Sequence, residues 1–232
     1  MLNNTAHVLD NPVWNALISG NAPLAHGTAQ VKYFAEDVSP FAGFETCTPQ
    51  ALEALHALVP AGRVLGIVSP VPLHIPAPWQ LMQQMQVGQM VQERPAANNL
   101  LGPPATPLGP AHVPAMLALT QRTNPGPFFP NTIAFGHYEG IFEGNELVAM
   151  AGQRMNPSPY AEISAVCTHP DYLGRGYAAR LIQRQAQRIV AAAGIPFLHV
   201  KADNTRAIRL YQHLGFVTRK EMSFHIIRKN PS

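Results

Sequence analysis

The stretch AEISAVCTHPDYLGRGYAARL, residues 161–181, decides the fold. Its first part, Ala161 to Thr168, is a short apolar run with the look of a strand. Its last part opens an amphipathic helix over Gly176 to Ala193. There Ala178, Leu181, Ile182, Ala186, Ile189, Val190 and Ala193 recur with the 3.6-residue period, and Gly194 and Pro196 stop the pattern. Between them stand Gly174 and Gly176. Two glycines at the mouth of a helix leave its first N–H groups unpaired and unobstructed by Cβ atoms. The helix dipole adds partial positive charge there, so the turn suits a diphosphate.

Working outward, Phe197–Lys201 reads as the next strand. Asn204 can cap a helix whose inner face is Ala207, Leu210, Tyr211 and Leu214, ended by Gly215, and Phe216–Ile227 closes with β structure. Upstream, Val113–Arg122 reads as a helix, and Tyr138–Phe142 and Leu147–Arg154 as strands joined by the hairpin signal Gly144-Asn145. PAANNLLGPPATPLGP, residues 95–110, has no apolar periodicity and marks a break. The expected division is an N-terminal α/β half over 1–95, a Pro/Gly-rich linker over 96–110 and a second domain over 111–232. In the first half, Thr48 and Pro49 open a short helix through Leu58, and Arg63–Val68 is a buried strand. Trp79–Val87 is expected as a helix and Gln89–Arg94 as a strand, with LMQQMQVGQM (81–90) as a core stripe.

The chain of 232 residues is 47% apolar, enough for a sizeable core, and only 12% charged against roughly 25% in most proteins. Its net charge of +3 hides an asymmetry. Residues 1–170 hold 5 Lys/Arg and 10 Asp/Glu, whereas 171–232 hold 11 and 3. The basic quarter suits a polyanion such as nucleic acid or, better, a small multiply phosphorylated ligand, since it lacks the interleaved aromatics of a nucleic-acid stacking platform; Arg180, Arg184 and Arg188, spaced i, i+4, i+8, read as a solvated helix face. The acidic balance of the first part leans toward a cationic acceptor, although five charges over 170 residues say little. No apolar run reaches the ~18 residues of a membrane span, and MLNNTAHVLDNP lacks the regions of a secretory leader, so a cytoplasmic protein is expected. Cys47 and Cys167 have no metal or redox spacing and exclude a disulfide framework, and the histidines are scattered, so no metal is expected.

Three phosphate-binding classes compete for the glycine turn. A P-loop needs four residues between its glycines and then Lys-Ser/Thr, both absent. Gly174-x-Gly176-x-x-Ala179 satisfies the letters of a dinucleotide fingerprint, and Asp203 follows the next strand. Six residues separate Cys167 from Gly174, however, and Asp203 lies 29 residues beyond it instead of about 20, which makes a nicotinamide-binding oxidoreductase the weaker alternative. The third class is an acyl-CoA cradle. Leu173-Gly-Arg-Gly176-Tyr-Ala178 resembles the Arg/Gln-x-x-Gly-x-Gly/Ala signature of the GNAT superfamily of acyl-CoA-dependent N-acyltransferases. The strand at 161–168 is similar to that family's fourth strand, and Asn204-x-x-Ala207-x-x-x-Tyr211-x-x-x-Gly215-Phe216 to its final helix. The resemblance covers about residues 100–230, and ISAVCTHPDY…GRGYAARL is similar to the glycine N-acyltransferase-like branch. Leu173 departs from the signature's Arg or Gln.

The resemblance implies an α/β (α+β) GNAT fold, a mixed central sheet splayed between its fourth and fifth strands with flanking helices. It suggests that the N-terminal half is a degenerate GNAT-like repeat that walls the acceptor pocket or forms a homodimer face; a plain structural extension is the alternative. Acetyl-CoA would pair with main-chain groups of Val166, Cys167 and Thr168, its diphosphate on N–H groups of Leu173, Gly174, Arg175, Gly176, Tyr177 and Ala178, with Asn204 and Ala207 beside it. Tyr211 matches the family's tyrosine that donates to the CoA sulfur, its other reading being a core residue. Glu162, in an Ala-Glu-Ile context, is the leading candidate for the base that takes the amine proton; it could instead anchor substrate or be an ordinary strand carboxylate. His169 and His199 are weaker base candidates. A covalent acyl-Cys167 is conceivable, but a small buried strand residue and direct attack in a ternary complex fit better. The implied activity is transfer of an acetyl or short acyl group from CoA to a primary amine of a small molecule or peptide, with no nucleic-acid or membrane partner. A non-catalytic acyl-CoA-binding module is the alternative.

Overall fold

The structure is a computed structural model and describes residues 7–94 and 103–230. The first part of the expected linker, through residue 102, lies outside the described residues. The described α-helices follow apolar stripes, and side-chain caps open two of them. After α1 (Pro12–Leu17), α2 (Pro49–Leu58) starts at Thr48, whose Oγ1 accepts from the Ala51 N–H at 3.1 Å, and buries Leu52 and Leu55. Then come α3 (Val113–Thr123) and α4 (Tyr177–Ala191), which buries Leu181, Ile182, Ala186 and Ile189 of the expected stripe. The Gly194 N–H turns back to the Ile189 carbonyl at 2.9 Å and closes α4. Last is α5 (Thr205–His213), capped by Asn204, whose Oδ1 accepts from the Ala207 N–H at 3.1 Å.

The strands β1 (Ala25–Gly27), β2 (Val31–Phe34) and β3 (Ala42–Phe44) form a small antiparallel sheet. The strands β4 (Val64–Ser69), β5 (Trp79–Gln92), β6 (Thr106–Pro107), β7 (Glu139–Glu143), β8 (Glu146–Gln153), β9 (Tyr160–Thr168), β10 (Ile195–Lys201) and β11 (Phe216–Lys229) build one mixed sheet. Its order is β4-β11-β5-β10-β9-β8-β7-β6. Among these described strands only β9 and β10 pair in parallel. Two of the four core clusters lie on opposite faces of this sheet. Ile182, Ala186 and Ile189 of α4 pack with Met90, Leu198 and Phe216 on one side. Val13, Phe34, Phe41, Met116 and Leu119 pack with Val87, Met150 and Met222 on the other.

Three expectations need correction. Trp79–Val87 is not a helix but the first part of the fourteen-residue β5. Leu, Met and Gln tolerate a helix locally, but β11 pairs with the segment from Trp79 to Gln92 and β10 adds a ladder over Val87–Val91, so tertiary pairing overrides propensity. LMQQMQVGQM is likewise no continuous core stripe: Met90 is fully buried, while Leu81 and Met82 are exposed. The arginines of α4 also do more than face solvent. Arg184 donates to the buried Glu139 carboxylate of β7 at 2.5 Å, and Arg188 lies 3.8 Å from it.

The large sheet runs across the expected linker. The strands β4 and β5 precede it in sequence, yet β5 sits between β10 and β11, which follow it. Thr106–Pro107, inside the linker stretch, pairs with Glu139 and Gly140.

The feature that positions the site is a divergence. The parallel pairing of β9 and β10 runs from Tyr160↔Ile195 to Glu162↔Phe197 and stops. Both strands continue, β9 held by β8 as far as Thr168↔Ala149 and β10 held by β5 as far as Lys201↔Val87. The sheet therefore opens as a V, with the starts of α4 and α5 at its mouth.

Candidate active site

The V holds a cleft of about 1160 Å³. Most of the expected residues come together on it: Val166, Cys167 and Thr168 from β9, the turn from Leu173 to Ala178 apart from Arg175, and Asn204, Ala207 and Tyr211 from the α5 end. Arg175 is not part of the lining; its guanidinium lies 4.6 Å from the centre of the ring of Tyr172, which is.

A bulge in β9 sets which main-chain groups face the opening. Met150 pairs with Cys167 and Gly152 with Ser164, so one residue of β8 opposes two of β9, and Ala165 takes φ +53°. Before the bulge Glu162 exchanges main-chain bonds with the β8 side, donating to Met155 O at 2.8 Å and accepting from Arg154 N at 3.1 Å. After it the His169 N–H donates to Val148 O at 2.7 Å. An even and an odd residue thus both face β8. The alternation flips at the bulge, and the main-chain groups of Val166 and Thr168 are directed at the gap.

At the mouth, Gly174 and Gly176 have φ +80° and +78°, a left-handed region costly for other residues, and a Cβ on either would meet nothing within 4 Å. No side chain caps α4, so its first N–H groups open on the cleft beside Lys201 and Arg206. Leu173 is a correction: its N–H is taken by the Pro170 carbonyl at 3.3 Å, so the available donors begin at Gly174. Gly174→Val places a branched side chain over these donors and is expected to raise the dissociation constant for coenzyme A about tenfold, as calorimetry would read.

Tyr211 borders the cleft from α5, its ring against Phe216 at 6.1 Å, and burial pushes its phenol up to about 12. The hydroxyl therefore stays a proton donor through the neutral range. Burial also pushes the Cys167 thiol up to about 11, away from the thiolate a nucleophile needs.

Glu162 is not placed to act as the base. It is fully buried and does not border the cleft. Its Oε2 accepts from Arg154 Nε at 2.9 Å, and its Oε1 from Arg154 Nη2 at 2.6 Å and from His199 Nδ1 at 2.8 Å. Burial alone would raise its pKa, but Arg154 and then His199 overcome this and hold the carboxyl at about 2. Taking a proton would break a bidentate ion pair. His199 borders the cleft, yet its Nε2 faces the Gln89 amide nitrogen at 3.1 Å. Gln89 is locked in that sense, donating to Leu9 O at 2.8 Å and accepting from Arg219 Nη1 at 2.7 Å. Nδ1 and Nε2 of His199 are thus both engaged. His169 accepts from the Asp171 N–H at 3.2 Å through Nδ1 and meets Arg122 through Nε2.

Sequence reasoning missed Arg154, a lone charge at the end of an apolar strand, and the wall formed by Phe41, Val68 and Met85 from before the linker and by Phe224 of β11. The lining contains Arg122, Arg154, Lys201 and Arg206 but no Asp or Glu among the described residues, which runs against a cationic acceptor. Among the described residues no cluster of three His, Cys, Asp or Glu could hold a metal, and no helix is long and apolar enough to cross a membrane. The antiparallel β8–β9 and β5–β10 pairings are foreign to a dinucleotide-binding parallel sheet.

Comparison with known proteins agrees with this geometry. A family model described as FR47-like protein matches residues 138–225. A solved structure from Novosphingobium aromaticivorans, assigned to the GNAT acetyltransferase family, is 35% identical, covers 97% of this chain and 100% of its own, and superposes with a TM-score of 0.89. A GCN5-related N-acetyltransferase from Kribbella flavida shares the fold at 16% identity, with coverage of 93% and 94% and a TM-score of 0.65. The N-alpha-acetyltransferase RimI of Mycobacterium tuberculosis is 36% identical over 84 residues, 34% of this chain; the match spans about half of that protein, 51%.

Proposed function

The chain belongs to the GNAT family of acetyltransferases, and from that premise we propose that it transfers an acetyl or other short acyl group from coenzyme A to a primary amine by direct attack. The observation that carries this reading is the divergence of β9 and β10 in front of the uncapped start of α4. Acetyl-CoA lies in the V with its pantetheine arm along β9, its diphosphate on the N–H groups from Gly174 to Ala178, and Lys201 and Arg206 beside it. The amine nitrogen attacks the thioester carbon, and the Val166 N–H donates to the oxygen on which negative charge grows. As the C–S bond breaks, Tyr211 donates to the departing sulfur. The amine proton leaves to water, because the cleft offers no carboxylate among the described residues.

Calorimetry with acetyl-CoA, coenzyme A and NAD tests the reading. Micromolar binding of the first two and no uptake of NAD is the expected result; the reverse pattern overturns it. Cys167→Ala should bind acetyl-CoA normally and keep turnover within about threefold, because a thiol held protonated by burial contributes no covalent step. Loss of all turnover with binding intact would replace direct attack by an acyl-cysteine route.

A further inference from the structure

Of the four lining cations among the described residues, Arg122 is engaged by Glu146 at 3.7 Å and by His169, and the other three fall into two groups. Lys201 and Arg206 lie at the end where α4 and α5 begin, and the proposed diphosphate accounts for them. Arg154 stands at the other end of β9, near the apex of the V, beyond Val166 as seen from Gly174. There nothing in coenzyme A needs it. Its side chain is 15% exposed. Nε and Nη2 are committed to Glu162, which is fully buried behind it. Nη1, with two N–H groups, has no protein partner among the described residues and is not sealed from the cleft. The ion pair is therefore a dipole with its positive end toward the opening. Its guanidinium lies over the Phe41 ring at 4.8 Å, and Val68, Met85 and Phe224 continue that side of the cleft as an apolar wall.

Resting on the acyltransferase reading above, we propose that the acceptor is an amine that carries a carboxylate and an apolar body. The carboxylate accepts from Arg154 Nη1, and the body packs on Phe41, Val68 and Met85. Glu162 serves as a positioning residue: it fixes the guanidinium plane so that Nη1 is presented without a search through rotamers. The absence of any lining Asp or Glu among the described residues removes both an anchor for a polycationic amine and a repulsion against an anionic one.

The test uses four probes with the intact protein: phenylalanine, phenylalaninamide, 2-phenylethylamine and glycine, each with acetyl-CoA, read as thiol release. Phenylalaninamide has the less basic amine, so amine chemistry alone favours it over phenylalanine at neutral pH. The expected result is a kcat/KM for phenylalanine about tenfold or more above that of each of the other three, since a hydrogen-bonded charge or a buried ring is lost in each. The double variant Arg154→Met/Glu162→Gln leaves no buried charge orphaned. It should reduce the phenylalanine-to-phenylalaninamide ratio to one or below, the order amine basicity alone dictates, while acetyl-CoA affinity stays unchanged. Equal use of phenylalanine and phenylalaninamide by the wild type, or a ratio that survives the double variant, overturns the proposal and leaves the acyltransferase reading standing. Acetyl-CoA binding with no turnover of any of the four also overturns it. Failure to bind acetyl-CoA at all would instead remove the reading on which it rests.

Discussion

Tyr211→Phe is expected to lower kcat about a hundredfold, with acetyl-CoA affinity within about twofold of wild type. The departing thiolate is a base of pKa near 8.5, and the partly buried phenol at about 12 is the weaker acid. Full proton transfer between them is uphill, so the hydroxyl acts through a short, strong hydrogen bond to developing negative charge. That bond exists only as the C–S bond breaks, which is why the loss falls on kcat and spares ground-state binding. The direction of the shift also fixes the pH dependence. A phenol raised above its ordinary value keeps its proton up to about pH 12, so Tyr211 adds no falling limb between pH 7 and 10. The rate climbs there with deprotonation of the substrate amine. A pH–rate profile and a steady-state comparison check both points. If Tyr211→Phe kept full kcat, the residue would be only the core tyrosine its apolar helix face also allows.

Glu162→Leu is expected to cost about 3–5 kcal/mol of stability, because it leaves the Arg154 guanidinium with a buried, unpaired edge. In a chain of this length that lowers the melting temperature by about 10 °C. The acid dependence has a definite sign. The folded carboxyl titrates at about 2, below the ordinary 4.5, so the unfolded chain binds this proton more readily. The stabilisation is fully present above about pH 4.5 and drains away as pH falls toward about 2. Wild type and variant should therefore differ most near neutrality and converge in acid, as denaturant melts at pH 7, 4 and 2.5 would show. A general base would behave otherwise: Glu162→Gln would abolish turnover at nearly unchanged stability.

The contrast between these residues shows where sequence reading holds. Tyr211 was legible because its position depends on a local frame: Asn204 caps α5, the 3.6-residue period carries Ala207 and Tyr211 to one face, and Gly215 ends the helix. Glu162 was legible as a strand carboxylate, but its charge state is set by Arg154, eight residues away, and by His199, thirty-seven away. Neither distance leaves a trace in a local pattern. Arg154 itself was invisible as a site residue for the same reason.

The amino-acid order alone determined the helices with caps and stripes, the hairpin at Gly144-Asn145, and the glycine turn that opens α4, since each depends on contacts within a few residues along the chain. Only the tertiary structure decided that Trp79–Val87 is a strand continuous with Gln89–Gln92, that β5 enters the sheet between β10 and β11, and that Phe41 and Met85 wall the cleft. A strand's hydrogen-bond partners can lie anywhere in the chain, and those of β5 lie more than a hundred residues later, where no local propensity can register them.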